Sequence, residues 1–289
     1  MGCVSCTGLI RDLAGVKDDI NLHLREPTTI PIEADSITPD LFVGRKRAEI
    51  ETLPAFYGRR KVSLGDLFTV DGERSDSIVI QGDLQHVKKI GQGMSRGRIE
   101  VRGDVGPHLG ANMRGGEITA RGNAGDWAGA HMQGGRIWIH GNAGHHVGAA
   151  YPGEKRGLNR GVIVVNGNAG SEIGAVMRRG LIVVMGNTGE FAGARMIAGS
   201  IFVFGHLGKR AGAGMKRGSI IAFGTSEPLL PTYRFESVCR PVFMRFFLNR
   251  LRKWGVPVTP EMAEGSFRRY SGDITSLGKG EILIHEKHE

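Results

Sequence analysis

The first candidate for chemistry is a short glycine-flanked serine. Residues 93–97 read GMSRG and match the G-x-S-x-G turn that exposes a nucleophilic serine, here Ser95. However, Arg114 stands in the same local pattern 19 residues later, where a nucleophile would be required if the turn were catalytic. The motif therefore indicates a repeated structural turn, and we predict no catalytic residue in it.

Metal-ligating residue types occur in two places. Cys3 and Cys6 form a C-x-x-C pair, but a structural zinc site needs four ligands and the sequence offers no second pair. His140, His145 and His146 lie close together in the sequence and suit either a weak metal or anion site or surface and packing roles. We find no paired carboxylates, no Walker A motif and no dinucleotide-binding G-x-G-x-x-G between a strand and a helix. The sequence therefore predicts no catalytic and no metal-ligating residues.

A repeat organises the centre of the chain. One unit, residues 117–135, reads EITARGNAGDWAGAHMQGG, and its pattern recurs every 19 residues except for one 26-residue step. The longer step carries an insertion around residues 151–157. The glycines that mark the repeat are Gly103, Gly122, Gly141, Gly167, Gly186, Gly205 and Gly224.

Each repeat opens with alternating apolar residues, such as Ile118 and Ala120, and this period of two predicts a strand. The remainder of each repeat is too rich in glycine for a helix. A fixed period of this length is typical of a solenoid. We therefore predict an all-β dominated fold, a right-handed parallel β-helix of about 7–8 coils with a 19-residue period.

Three segments follow from this pattern. Residues 1–76 form a mixed lead-in or cap, residues 77–225 the β-helix, and residues 226–289 a tail that packs on it. The tail contains a predicted helix at about residues 241–254, ended by Gly255 and Pro257. The chain has a net charge of +9, and residues 77–225 alone carry +10.

The outward face of the predicted strands becomes apolar after the third repeat. Large apolar patches are usually covered or bound. Two alternatives remain open: the C-terminal helix covers the face through Phe243, Phe246, Phe247 and Leu251, or another protein does. The predicted interface residues are Val162, Val164, Leu181, Val183, Met185, Phe202, Phe204, Ile221 and Phe223.

Basic residues recur at equivalent positions of the repeat. A stack of cations repels itself, which favours an acidic partner or a polyanionic ligand. The alternative is a solvated edge that blocks strand addition. The candidate polyanion surface comprises Arg102, Arg114, Arg121, Arg178, Arg179, Lys216 and Arg217.

Composition narrows the remaining classes of function. Three cysteines exclude a disulfide framework and favour a reducing, cytoplasmic location, and no apolar run approaches the roughly 18–20 residues that span a bilayer. Nucleic-acid binding is one alternative, but only three Trp and four Tyr are present and the cations follow turns instead of a groove. Peripheral membrane binding through the basic residues 245–253 is another. We predict neither a nucleic-acid nor a membrane partner.

The repeat G-(N/D)-x-G-x-x-x-G-A resembles the GXGXG β-helix shared by the glutamate synthase C-terminal domain and the C-type subunit of formylmethanofuran dehydrogenase. Further motifs resemble that subunit specifically, and closest is its bacterial version, the C-type subunit of the formyltransferase/hydrolase complex. A glutamate-synthase-like accessory domain remains an alternative. The motifs are LP at 53–54, Gly58, LGDLF at 64–68, LPT at 230–232, RPVF at 240–243, RYSGD at 269–273 and GKGEIL at 278–283.

The resemblance implies a four-subunit assembly in one-carbon metabolism. A formyltransferase subunit moves the formyl group from formyl-tetrahydromethanopterin to a methanofuran-type cofactor, and an amidohydrolase-type subunit that holds metals releases formate. The fourth member is a B-type subunit, and archaeal relatives instead reduce CO₂ at tungsten or molybdenum. The C-type subunit itself binds no cofactor and has no active site of its own in this family. Methanofuran-type cofactors carry polyglutamate arms, which the basic residues would attract.

Overall fold

The structure is a computed structural model, and it describes residues 19–286. This part of the chain is mostly β, with one large, mostly parallel sheet and a small second sheet. The strands are β1 (Ile20–Leu24), β2 (Ile32–Glu33), β3 (Pro54–Tyr57), β4 (Arg60–Ser63), β5 (Phe68–Asp71), β6 (Ser77–Gln81), β7 (Val87–Lys88), β8 (Arg98–Arg102), β9 (Glu117–Ala120), β10 (Arg136–Ile139), β11 (Val162–Val165), β12 (Leu181–Val184), β13 (Ser200–Val203), β14 (Arg217–Ala222), β15 (Arg234–Cys239), β16 (Phe267–Gly272) and β17 (Lys279–His285). The helices are α1 (Pro39–Phe42), α2 (Arg47–Glu51), α3 (Leu64–Leu67), α4 (Val242–Lys253) and α5 (Pro260–Glu264).

In the large sheet, residues one sequence period apart lie opposite each other on neighbouring strands. The strand order of this sheet is β5-β1-β6-β8-β9-β10-β11-β12-β13-β14-β17-β16-β15. From β8 to β14 neighbours are parallel, so that Ile118 lies opposite Ile137, 19 positions later. Across the insertion Ile137 lies opposite Ile163, which is 26 positions later. The predicted strands are therefore confirmed, and the insertion leaves their alignment unchanged.

The inner face of these strands is a continuous apolar column. Ile118, Ile137 and Ile163 are fully buried, as are the equivalent isoleucines of the other repeats. Met113 and Met132, from the turn that closes each repeat, are also fully buried in the same core. Each isoleucine is a β-branched residue suited to a strand that packs on a core. The core is thus built from the same positions in every repeat.

Polar side chains support the stacking at the turn after each strand. The Asn123 side-chain oxygen accepts a hydrogen bond from the Asn142 N–H at 2.7 Å, and the Asn142 oxygen accepts one from the Asn168 N–H at 2.8 Å. Single parallel β-bridges, such as Ala124 with Ala143, link the repeats beyond this turn. Since five successive turns, from that of Asp104 to that of Asn187, each supply one acceptor to the next repeat, these backbone N–H groups remain satisfied.

The large sheet extends beyond residues 77–225 at both ends. Strands β1 and β5 continue it on the amino-terminal side, while β2, β3, β4 and β7 form the small sheet. In the tail, β17 pairs in parallel with β14, and β16 and β15 follow as antiparallel strands. The tail prediction named only a helix, which is confirmed as α4, and it missed these three strands.

Candidate functional site

Helix α4 covers the outward face of the later repeats. Its buried residues Met244, Leu248 and Leu251 pack in one apolar cluster with Val183 and Phe202 on the sheet. These three positions follow the i, i+4, i+7 spacing that places side chains on one helix face. The structure therefore favours the first of the two alternatives for this face, which is cover by the chain's own helix.

The nine predicted interface residues all belong to this cluster. Val164, Leu181, Val183, Phe202, Ile221 and Phe223 are buried, whereas Val162, Met185 and Phe204 are half-buried at its margin. Because the buried members are covered by other parts of this chain, among them α4 and Phe267 of β16, another protein could reach them only if these parts moved. Only the three marginal residues keep accessible surface that a partner could contact.

Two of the four helix residues that the sequence predicted to cover the apolar face do contact it. Leu251 is buried and Phe247 packs against the cluster with its ring centroid 5.5 Å from that of Phe202. The predicted contacts of Phe243 and Phe246 are wrong, because these side chains are 39% and 66% exposed. They lie away from the face that carries the buried positions of the helix, so they present apolar surface to the outside.

The outward face of the earlier repeats is charged and internally paired. Glu100 is only 15% exposed and lies near three guanidinium groups, those of Arg98 at 3.6 Å, Arg102 at 3.9 Å and Arg121 at 3.2 Å. Arg102 and Arg121, two members of the predicted polyanion surface, therefore share a carboxylate within the chain. Their charge is partly neutralised before any ligand arrives.

The other predicted cations occupy one turn but do not form an unbroken stack. In the column after the buried methionines, backbone hydrogen bonds align Arg114 with Gln133 and Arg178 with Ile197, one repeat further on. Neutral residues therefore separate Arg114, Arg178 and Lys216, which corrects the expectation of a continuous ladder. Among residues 19–286, none of the cations in this turn forms an ion pair: Arg114, Arg178, Arg179, Lys216 and Arg217.

A ring cluster anchors the insertion to the stacked repeats. The hydroxyl of Tyr151 is 2.8 Å from Nδ1 of His108, and the Tyr151 N–H donates to Nε2 of His131 at 2.9 Å. The Trp127 ring stacks on that of His146 with centroids 4.1 Å apart, and it lies 4.9 Å from the Tyr151 ring. The first residue of the insertion is thus held by ring side chains of different repeats.

Burial sets the protonation of this cluster. It lowers the pKa of His108, assisted by Lys89 and Lys88, and it also lowers the pKa of His131, where Glu154 opposes the effect. Burial raises the pKa of the Tyr151 hydroxyl. At neutral pH His131 is therefore a neutral ring whose Nε2 accepts the Tyr151 N–H.

Sequence reasoning named His140, His145 and His146 but missed His108, Trp127, His131 and Tyr151. His108, Trp127 and His146 occupy one position of the repeat, and all three have positive φ, between 61° and 66°. Non-glycine residues in this conformation cost about 1 kcal/mol or more each and project from tight turns. The repeat register alone places these three in one column, so it could have found them, whereas His131 and Tyr151 lie outside that column.

The remaining motifs form no reactive site in the described part of the chain. Both the N–H and the hydroxyl of Ser95 donate to the Asp40 carboxylate, with no histidine between them. Burial raises the pKa of the Cys239 thiol, while Cys3 and Cys6 lie outside the described residues. Within residues 19–286 no three His, Cys, Asp or Glu side chains converge as a metal site would require. No helix there is long and apolar enough to cross a membrane.

With this geometry established, comparison with known proteins places the chain in a family. A family model described as the GXGXG motif matches residues 70–238, which is more than half of the chain. The chain therefore belongs to the GXGXG family. This result confirms the resemblance that the repeats indicated.

Two curated proteins with similar sequences are subunits of named enzyme complexes. The chain is 41% identical over 98 residues to the C-type subunit of the tungsten-containing formylmethanofuran dehydrogenase 2 of Methanothermobacter marburgensis, covering 32% of this chain and 36% of that protein. It is 41% identical over 88 residues to the C-type subunit of the formyltransferase/hydrolase complex Fhc of Methylorubrum extorquens, covering 30% of this chain and 33% of that protein. The chain thus matches about a third of the length of these relatives.

A solved structure matches over a much longer stretch. A chain of the crystal structure of the formyltransferase/hydrolase complex FhcABCD from Methylorubrum extorquens, in complex with methylofuran, aligns with a TM-score of 0.85 and 38% identity. The alignment covers 92% of this chain and 100% of that chain. The likeness therefore includes the tail and the lead-in strands as well as the repeats.

Proposed function

We propose that this chain is a non-catalytic structural subunit of a formyltransferase/hydrolase complex in tetrahydromethanopterin- and methanofuran-dependent one-carbon metabolism, on the route from formaldehyde to formate. The observation that carries this proposal is the match to a chain of FhcABCD over 92% of this chain. The fully packed inner column of the repeats supports a scaffold role, because it gives the chain a rigid body with long outer faces.

The parallel strands of the repeats belong to a solenoid in this proposed subunit. We propose that the stacked repeats wind as a right-handed parallel β-helix of about 7–8 coils. In this description residues 1–76 form a cap, residues 77–225 form the β-helix and residues 226–289 form a tail that packs on it. Three observations support it: the parallel register, the column of single β-bridges and the hydrogen bonds between equivalent turns.

The sister subunits in this proposal are a formyltransferase, an amidohydrolase-type hydrolase that holds the metals, and a B-type subunit. The complex is cytoplasmic and uses tetrahydromethanopterin and a methanofuran-type cofactor, neither of which this chain binds in an active site of its own. The exposed rings of Phe243 and Phe246 and the half-buried Val162, Met185 and Phe204 give such subunits apolar surface to contact.

Affinity purification of the tagged full chain from its native host, followed by mass spectrometry, tests the proposal. We expect three further polypeptides in a fixed ratio, among them one with formyltransferase activity and one with hydrolase activity. Recovery of the chain alone, or with amidotransferase and flavin subunits, would contradict the proposal and favour a glutamate-synthase-like role.

The turn that follows the buried methionines carries Arg114, Arg178, Arg179, Lys216 and Arg217, and we call it the basic turn. We propose that it guides the polyglutamate arm of the cofactor between the catalytic subunits. Arg114, Arg178 and Arg179 have no ion-pair partners within residues 19–286, so their charge is available to an anion. Replacing all three by Glu should slow formyl transfer through the reconstituted complex and make turnover more sensitive to salt. Unchanged turnover in a correctly assembled complex would exclude this role.

A second candidate is the C-type subunit of a tungsten or molybdenum formylmethanofuran dehydrogenase. The 41% identity to the tungsten-enzyme subunit of Methanothermobacter marburgensis favours it. Metal analysis of the purified complex distinguishes the two, because only the second candidate requires tungsten or molybdenum in a sister subunit.

A further inference from the structure

A groove of about 490 Å³ lies where the charged face of the early repeats meets the end of helix α4. One wall is formed by the first residues of three successive strands, Arg98, Glu117 and Arg136, which the parallel register aligns. Arg250 and Trp254 from the end of α4 also line the groove, together with Val162 of the next strand. None of these residues belongs to the basic turn that the sequence singled out.

The groove carries more positive than negative charge. Three guanidinium groups face it against one carboxylate, that of Glu117, which lies 3.3 Å from Nε of Arg136. Arg98 is 3.6 Å from Glu100 outside the groove, whereas Arg250 forms no ion pair within residues 19–286. An anion that enters would therefore find at least one guanidinium with no competing carboxylate.

Two of the three guanidinium groups lie over one aromatic ring. The centre of the Arg250 guanidinium lies 4.9 Å from the Trp254 ring centroid, and that of Arg136 lies 5.7 Å from the same centroid. Such cation–π contacts restrict the flexible arginine side chains before a ligand binds. Pre-ordered donors lose less conformational entropy on binding, so they bind an anion more tightly.

Part of the groove lining is bare backbone, which we call its floor. It is formed by Gly97, Gly116 and Gly135, which have φ between 76° and 83° and occupy equivalent turns of three repeats. With about 4.8 Å between neighbouring strands, Arg98 and Arg136 stand roughly 10 Å apart along the floor. The groove is thus suited to an extended ligand and not to a single compact ion.

We infer that this groove binds an extended ligand that carries two or more oxyanion groups, carboxylates or phosphates, between Arg98, Arg136 and Arg250. Arginine presents paired N–H donors whose geometry matches both groups. The inference does not depend on the proposed structural role, because it rests only on residues of this chain.

Isothermal titration calorimetry of the full chain tests the inference with three probes: tri-L-glutamate, tripolyphosphate and inorganic phosphate. We expect one of the two extended probes to bind at least about tenfold more tightly than inorganic phosphate, since it can reach several arginines. Which extended probe binds more tightly identifies the oxyanion as carboxylate or phosphate. Absence of binding by both extended probes, or equal binding of inorganic phosphate, would overturn the inference.

Matched variants on helix α4 locate the binding. Arg250→Gln removes the unpaired charge from the groove, while Lys253→Gln removes the same charge from an exposed neighbour that does not line it. We expect Arg250→Gln and Arg98→Gln each to weaken binding about tenfold and Lys253→Gln less than about twofold. Equal weakening by Lys253→Gln would show that net charge, and not this groove, attracts the probe.

Discussion

Strands β8–β10 and β11–β14 stack in the same register around the same buried isoleucine column, yet most of their outer residues differ in polarity. At one equivalent outer position the earlier strands carry Glu100, Thr119 and Trp138, of which Trp138 already packs at the margin of the apolar cluster, while the later strands carry Val183 and Phe202. The earlier face is half-exposed and ion-paired, and the later face is buried beneath helix α4. The inner column therefore sets the stacking, while the outer column decides what packs against it.

The largest expected effect contrasts the two outer faces directly. Phe202→Ala should lower the free energy of unfolding by about 3–5 kcal/mol, because the ring is fully buried under α4 and its loss leaves a cavity. Thr119→Ala, at the equivalent position of an earlier strand, should change it by less than about 0.5 kcal/mol. Chemical denaturation measures both, and similar losses would contradict the contrast.

The inner column should show no such contrast. Ile137 and Ile201 are fully buried at the same position in an earlier and a later strand. Replacing either by Ala should lower the free energy of unfolding by about 2–5 kcal/mol, since each loses similar contacts in the core. Urea denaturation of the two variants side by side checks this, and a clearly smaller loss in the earlier strand would show that the regions differ inside as well.

The side-chain oxygens that accept backbone N–H groups at the turn after each strand should contribute equally to stability in both regions. Asn142 and Asn187 each accept a backbone N–H of the next repeat, at 2.8 Å and 2.7 Å. Replacement of either by Ala should cost about 1 kcal/mol, because one backbone donor loses its partner. Thermal unfolding at matched protein concentration measures this. A neutral effect in one region alone would mean that water replaces the lost acceptor there.

The smallest expected effect concerns the insertion between the two regions. Burial lowers the pKa of His131 below the ordinary 6.5, so the unfolded chain takes up its proton first as pH falls. Stability from this residue is therefore present above about pH 6.5 and is lost as pH falls towards the folded pKa. The midpoint of thermal unfolding, measured between about pH 8 and pH 5, should decrease on acidification.

His131→Gln is the matched variant for this effect. Its side-chain oxygen can still accept the Tyr151 N–H but does not titrate, so the acid-dependent loss should become smaller. Burial also lowers the pKa of His108, so the part of the acid-dependent loss of stability that comes from His108 should remain in the variant. An unchanged pH profile would mean that His131 does not couple proton uptake to the anchoring of the insertion.

The repeat made most of the stacked region predictable. Alternation around Ile118 gave the inner face, and the 19-residue step gave the register of its neighbours. The helix of the tail was also predictable from its composition and from Gly255. Strands β15 and β16 were not, because residues such as Phe235 and Val238 remain about half exposed and show no period related to the repeat. Strand β17 was not, because its buried Ile282 lies opposite Ile220 from 62 positions away, which the 19-residue step does not reach.

The candidate sites were less predictable than the fold. The cations of the basic turn were visible in the sequence, and the 19-residue step already places Gln133 after Arg114 and Ile197 after Arg178, an alignment that the backbone hydrogen bonds confirm. The anchoring of Tyr151 by His108 and His131 joins residues 43 and 20 positions apart. The groove beside Trp254 depends on where α4 ends relative to three strands, which no local pattern contains.

The sequence by itself determined the period, the inner isoleucine column and the change from a charged to an apolar outer face. These are local properties, since alternation and repeat spacing act through neighbouring residues and through identical partners in the next repeat. Only the tertiary structure decided that α4 turns Leu248 and Leu251 towards Phe202 and leaves Phe246 exposed. That choice depends on how a distant helix packs on a surface, because apolar attraction is non-directional and any of its rings could have been buried.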